Sequence, residues 1–201
     1  MAIKPILFNT EMVRAILDGR KTCTRRIVRP PYFVDGDEND KRSLITLRTA
    51  TKNSSLYRQI GQMPYPDAPY RMCDILYVRE TWKKAPNGYY YYESWQRNDI
   101  ADITKWKPSI HMPKEAARIW LRVTDVRVER LQEITGQDVL KEGLNSHVHP
   151  QASYFDGNQR EMFEKLWNST IKKSDIDRYG WDASPWVWVI EFERCEKPEN
   201  L

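Results

Sequence analysis

The sequence predicts an α+β fold: a small mixed β-barrel with a few peripheral helices. Three observations point there. Strand-like stretches outnumber helical ones along the chain. In one long strand, Ile119, Leu121 and Val123 share a face, but Val126 and Val128 break that parity. The break places a bulge or bend near Thr124-Asp125, the kind of corner a small barrel needs. Finally, 201 residues that are 40% hydrophobic can bury one good core, with room for insertions but not for two full domains. The eight tryptophans exclude a disordered chain.

The elements follow in order. Ile6-Leu7-Phe8 reads as a short strand. Asn9 or Thr10 can cap a helix whose apolar face is Met12, Val13, Ile16 and Leu17, and Gly19 is its natural stop. Residues 30–70 open on Pro30-Pro31, carry an acidic turn and close on Pro64, Pro66 and Pro69. They read as an insertion, with one strand possible at Ser43–Arg48. Leu76, Val78, Glu80 and Trp82 alternate with Tyr77, Arg79 and Thr81, so a strand would put the first set on one face. Pro86-Asn87-Gly88 turns the chain, and Tyr89–Trp95 returns as a hairpin partner. The consecutive tyrosines Tyr89–Tyr92 suit either two covered strand faces or a stacking platform for bases. Thr135 and Asp138 start a short helix ending at Gly143. Met162, Phe163, Leu166, Trp167 and Thr170 mark another, and Trp186–Phe192 is a last apolar strand. The whole is expected to be one domain over 1–201, elaborated near 30–70 and 83–112.

Composition narrows the function classes. Three scattered cysteines, Cys23, Cys73 and Cys195, argue for a reducing compartment and against a disulfide frame or zinc site. His147 and His149 read as a solvent-facing loop, so no metal or cofactor is expected. No apolar run reaches membrane length, and the opening run breaks at Asn9-Thr10 without a signal-peptide pattern. The expected location is cytoplasmic. A net charge of +4 is too mild to imply nucleic-acid binding unless the cations cluster.

They do cluster, in Gly19-Arg20-Lys21-Thr22-Cys23-Thr24-Arg25-Arg26, with Arg29 close behind. The helix dipole favours cations at a helix C-terminus, which accounts for Arg20 and Lys21 but not for Arg25, Arg26 or Arg29. A lysine beside a hydroxyl, ringed by arginines, can hold an anionic ligand or activate the hydroxyl as a nucleophile. Lysine becomes a base only where burial and nearby cations disfavour its charge. On a regular strand, positions 21 and 24 face opposite ways, so they meet only if the chain turns after Gly19.

The spacing of Gly19, Lys21 and Arg26 resembles the signature of ASCH domains, a branch of the PUA-like β-barrels. Cys73-Asp74-Ile75-Leu76-Tyr77-Val78-Arg79-Glu80-Thr81-Trp82 is similar to the "GD-x-L-x-V-R-E-T-W" strand of longer ASCH proteins common in phages and prophages, with Cys73 where the family has glycine. Ile119–Thr124 resembles the next core strand. The resemblance implies an amidohydrolase that removes the acyl group of N4-acetylcytidine-type substrates, with Lys21 as base and Thr24 as nucleophile. The family glutamate would fall on the Ile119–Thr124 strand, where Arg122 stands, and Glu80 is its natural substitute. Arg20, Arg25, Arg26, Arg79 and Trp82 would bind substrate or RNA. The implied partner is a modified cytidine nucleoside or RNA. The alternatives are a non-catalytic RNA-binding module and a metal-free ribonuclease with lysine and arginine on a pentavalent phosphate.

Overall fold

The computed structural model describes residues 1–29, 68–95, 105–144 and 155–199. The 30–67 part of the expected insertion, with the Ser43–Arg48 strand, and His147 and His149 lie outside the described residues. Five strands form one mixed sheet, in the order β1-β3-β6-β7-β2. β1 (Ile3–Leu7) is one edge and runs parallel to β3 (Ile75–Arg79). β3 is antiparallel to β6 (Trp120–Arg130), β6 to β7 (Trp186–Cys195), and β7 to the other edge, β2 (Cys23–Ile27). A separate two-stranded hairpin joins β4 (Trp82–Ala85) to β5 (Gly88–Tyr91).

The fold is α+β, but the expected barrel closure is corrected. Among the described residues no backbone ladder joins the edges β1 and β2. Side chains span the gap instead. Arg26 on β2 donates through Nη2 to the Leu7 carbonyl of β1 at 2.9 Å. Its guanidinium lies 5.5 Å from the centre of the Phe8 ring. Cation–ring packing and one side-chain hydrogen bond thus occupy the space where a fifth, closing ladder of this sheet would run.

The expected parity break is present, as a register shift between Val123 and Asp125 opposite β7. After it, Val128 keeps its place in the core below the sheet, while Asp125, Arg127 and Glu129 share the opposite face. Arg127 gathers Asp125, Glu129 and Glu191 around it there.

The helices cover both faces. Helix α1 (Thr10–Leu17) begins where Asn9 Oδ1 accepts the Met12 N–H at 2.9 Å; it buries Ala15, and it places Val13 and Ile16 in the first core cluster. Gly19, at φ +76°, ends the turn that follows. A one-turn helix α2 (Tyr92–Trp95) follows the hairpin, and α3 (Gly136–Lys141) starts on a reciprocal cap between Thr135 and Asp138. α4 (Phe155–Thr170) lays Phe163 and Trp167 on the second core cluster with Cys23, Val187 and Val189 of the sheet. A short α5 (Ile176–Tyr179) follows, tied to α4 by the Trp167 indole N–H donating to the Tyr179 carbonyl at 2.8 Å.

Candidate functional site

The end of α1 and the end of α3 meet over the start of β2. The backbone N–H groups of Arg20 and Lys21 both point at the Ala15 carbonyl, at 2.8 and 3.0 Å, which turns the chain out of the helix. Lys21 then makes an isolated antiparallel bridge with Glu142, and the Thr22 N–H donates to the Lys141 carbonyl at 2.8 Å. β2 begins only at Cys23. The chain therefore turns between Lys21 and Thr24, and both line one cavity.

Lys21 is 3% exposed. Its Nζ donates to the Cys23 carbonyl at 2.6 Å, the Glu142 carbonyl at 2.9 Å and Glu142 Oε2 at 2.7 Å. Three acceptors match the three protons of an ammonium, so the resting pair is ammonium and carboxylate. The other carboxylate oxygen, Glu142 Oε1, accepts from Arg25 Nη1 at 3.2 Å. Arg25, itself buried, also faces Glu129 at 3.3 Å and Asp138 at 3.6 Å. A buried charge is costly unless paired and hydrogen-bonded; every member of this cluster has a partner of opposite charge, with Arg25 Nε left without a hydrogen bond among the described residues. Asp138 is held below the usual carboxylate range: burial alone would raise it, but its hydrogen bonds from Thr135 and the charges of Arg25 and Arg127 outweigh that.

The cavity has a volume of about 140 Å³. Lys21, Thr24, Arg26 and Glu142 supply its polar wall, and Phe8 and Trp167 are among its apolar residues. Thr24, on β2, is 3% exposed, and its hydroxyl makes no hydrogen bond among the described residues. The neighbouring Cys23 thiol is pushed up to about 12, first by burial and then by the charge of Glu142. It stays protonated at neutral pH and does not compete as a nucleophile. A second cavity, of about 380 Å³, adjoins the first and shares Arg25, Arg26, Trp167 and Thr170 with it.

Glu80 sits elsewhere. It lies just past the end of β3, 2% exposed, and does not line the Lys21 cavity. Arg118 holds it with two bonds of 2.8 Å, Nε to Oε1 and Nη2 to Oε2, and Glu93 is 3.4 Å from the same guanidinium. Burial raises the Glu80 carboxyl, and the Arg118 bonds only partly offset it.

The other candidates divide similarly. Arg25 and Arg26 line the cavity with Lys21 and Thr24. Arg20 turns away to the Gly143 carbonyl at 2.6 Å and Asp18 at 3.0 Å. Arg79 donates to the Ile110 carbonyl at 3.2 Å and packs over Tyr77. Trp82 is buried in a third core cluster with Met112 and Trp120. Arg122 is exposed on β6, opposite Glu193. The tyrosines have local partners: Tyr90 accepts from Asn87, Tyr91 donates to the Ala116 carbonyl, Tyr89 packs on Trp82 and Tyr92 on Trp95.

Sequence reasoning missed Glu142. The Thr135–Asp138 cap and the Gly143 stop locate its helix, but no spacing in the chain ties that helix end to Lys21. Among the described residues no group of three or more His, Cys, Asp or Glu could hold a metal ion, and no helix is long and apolar enough to cross a membrane.

No protein-family model matches the chain, and no curated protein matches it. Among solved structures the chain is similar to a crystal structure of an ASCH domain from Lactobacillus crispatus JV V101, at 8% identity over 96% of this chain and 79% of that one, with a TM-score of 0.39. With so low a score, the functional reading rests on this chain's own residues and geometry.

Proposed function

We propose that the protein is an ASCH-type amidohydrolase that removes the acyl group from N4-acylated cytidine, using Thr24, Lys21 and Glu142. The observation that carries this reading is the buried Lys21–Glu142 pair in the same cavity wall as the Thr24 hydroxyl. Glu142 takes the place that the sequence offered to Glu80.

The chemistry follows from the proton positions. Lys21 passes a proton along the 2.7 Å bond to Glu142 Oε2, which leaves a neutral amine. Thr24 Oγ1 attacks the acyl carbon and gives its proton to Lys21 Nζ. The oxyanion that forms meets the restored Lys21 ammonium and the Arg26 guanidinium. Glu142 then protonates the exocyclic nitrogen as the C–N4 bond breaks, releasing cytidine and leaving the acyl group on Thr24. Water attacks this ester, its proton passes to the same Lys21–Glu142 pair, and the carboxylic acid departs with Thr24 regenerated.

A buried ion pair can serve the fold alone, so the reading rests on its placement in one cavity with the Thr24 hydroxyl, which makes no hydrogen bond among the described residues. The experiment is to incubate purified protein with N4-acetylcytidine and with an RNA carrying that nucleotide, and to follow loss of the acetyl group. Turnover of either supports the reading. RNA binding with no deacylation of any N4-acylcytosine returns the protein to the binding-module alternative.

A further inference from the structure

We infer that the larger cavity beside the proposed acyl site is a phosphate subsite, so that the cytidine this protein takes is a phosphorylated one, either a nucleotide or a residue within RNA. This rests on the proposed reading only for the identity of the base; the pocket itself is argued from its own residues. It has about 380 Å³, within the range of ligand pockets, whereas the inner cavity alone is smaller than that range.

Its wall is cationic out of proportion to the chain. The whole sequence carries 32 lysines and arginines against 28 acids. This one pocket is lined by Arg25, Arg26, Arg29 and Lys172 against a single carboxylate, Asp175. Arg25 is already spent on Glu142, Glu129 and Asp138. The others are not. Arg29 and Lys172 are exposed and have no ion pair among the described residues. Arg26 has no salt bridge among the described residues, although the Glu142 charge lies near it; it gives one N–H to the Leu7 carbonyl. Three cations from two separate elements, the β2 segment and the stretch after α4, therefore converge on one concavity whose lining holds a single carboxylate, Asp175. Tyr179 lines the same wall. That combination of charge and donors suits phosphate oxygens, and the arginines suit them by geometry as well.

Position completes the argument. Arg26, Trp167 and Thr170 line both cavities, so a ligand whose base enters the inner one continues directly into the outer one. A nucleoside ends at its uncharged sugar and leaves these cations unused, whereas a phosphate on the ribose would engage them.

The test reads binding, not turnover, so its outcome is independent of whether the acyl reaction occurs. Affinities of cytidine, cytidine 5′-monophosphate and a cytidine-centred trinucleotide without terminal phosphates are measured by calorimetry, for the wild type and for an Arg29→Ala/Lys172→Ala double variant. Both positions are exposed, and a thermal melt confirms that the variant is folded. At low salt at least one phosphorylated ligand is expected to bind ten-fold or more tightly than cytidine. The advantage should shrink as salt rises and fall several-fold in the double variant. An advantage confined to the monophosphate assigns the pocket to a terminal phosphate, and one confined to the trinucleotide assigns it to the backbone of RNA. Equal affinity for all three ligands, or an advantage that survives the double variant, overturns the subsite.

Discussion

Lys21 Nζ and Glu142 Oε2 lie 2.7 Å apart across 121 residues of sequence, and both side chains are nearly sealed from solvent. Their ion pair ties the end of α1 to the end of α3. It also fixes the only carboxylate on the wall of the Thr24 cavity among the described residues. Under the proposed reaction, stability and chemistry are coupled at this pair. Lys21→Ala removes one partner of a buried pair, a change that costs about 3–5 kcal/mol when nothing else compensates. Arg25 remains on Glu142, so the expected loss falls below that range. A double-mutant cycle on Lys21→Ala and Glu142→Gln by urea unfolding should show a coupling of about 1–3 kcal/mol. Additive losses would mean that the pair is not an energetic unit.

Glu80 and Arg118 form a second buried pair with a structural task. Glu80→Gln should lower stability by about 1–3 kcal/mol, because the Arg118 guanidinium loses its two-point partner while keeping Ser94 and Glu93. Chemical denaturation measures this directly. A variant as stable as the wild type would show that the pair contributes nothing to the fold.

Gly143 has no room for a side chain. Its φ is +89°, and a Cβ there would sit 2.7 Å from Ala15 Cβ and 2.9 Å from Lys21 Cβ. Gly143→Ala should cost about 1–3 kcal/mol through backbone strain and displaced neighbours. It should also depress turnover more than substrate affinity, since the Lys21 stem is pushed off its position. Full activity at unchanged stability would contradict this close approach.

Asp74 anchors β1 to the start of β3. It accepts the Ala2 N–H at 2.8 Å and the Arg71 N–H at 3.0 Å, with Lys4 Nζ at 3.0 Å. Burial works against its charge, but these bonds outweigh it and hold the carboxyl below the usual range. A depressed value means that the folded state favours the ionised form. The stabilisation is complete above the ordinary aspartate value of about 3.9 and is lost as pH falls through the lower folded value. Thermal melts across the acid range should therefore show that Asp74→Asn loses less stability below pH ~4 than the wild type does. Parallel curves would remove Asp74 from the acid response.

Much of the architecture was legible in local pattern. The Asn9 cap, the Val13 and Ile16 face, the Gly19 stop and the Thr135–Asp138 cap depend on neighbours within one turn, and they appear where the sequence puts them. The bulge at Val123–Asp125 announced itself by a change of parity. The candidate site was half legible. Lys21 and Thr24 are close in sequence, but the Glu142 carboxylate on the same cavity wall arrives by an isolated bridge between two helix ends, and no periodicity encodes that. Glu80 misled because its apolar neighbours suggested a carboxylate with a task. Its partner, Arg118, is another long-range contact, made just before β6. Barrel closure failed to follow from strand count because Arg26 and Phe8 fill the gap between the edges with side chains.

The most direct measurement compares initial rates of cytidine release from N4-acetylcytidine by the wild type, Glu142→Gln and Glu80→Gln, each first shown to be folded. The expected result is a loss of about 10²–10⁴-fold in kcat for Glu142→Gln, the usual worth of a positioned acid–base group. Glu80→Gln should stay within a few-fold of the wild type at a temperature where it is folded. A Glu142→Gln variant that keeps its rate while Glu80→Gln loses it would contradict the assignment of the Lys21–Glu142 pair as the proton-handling centre.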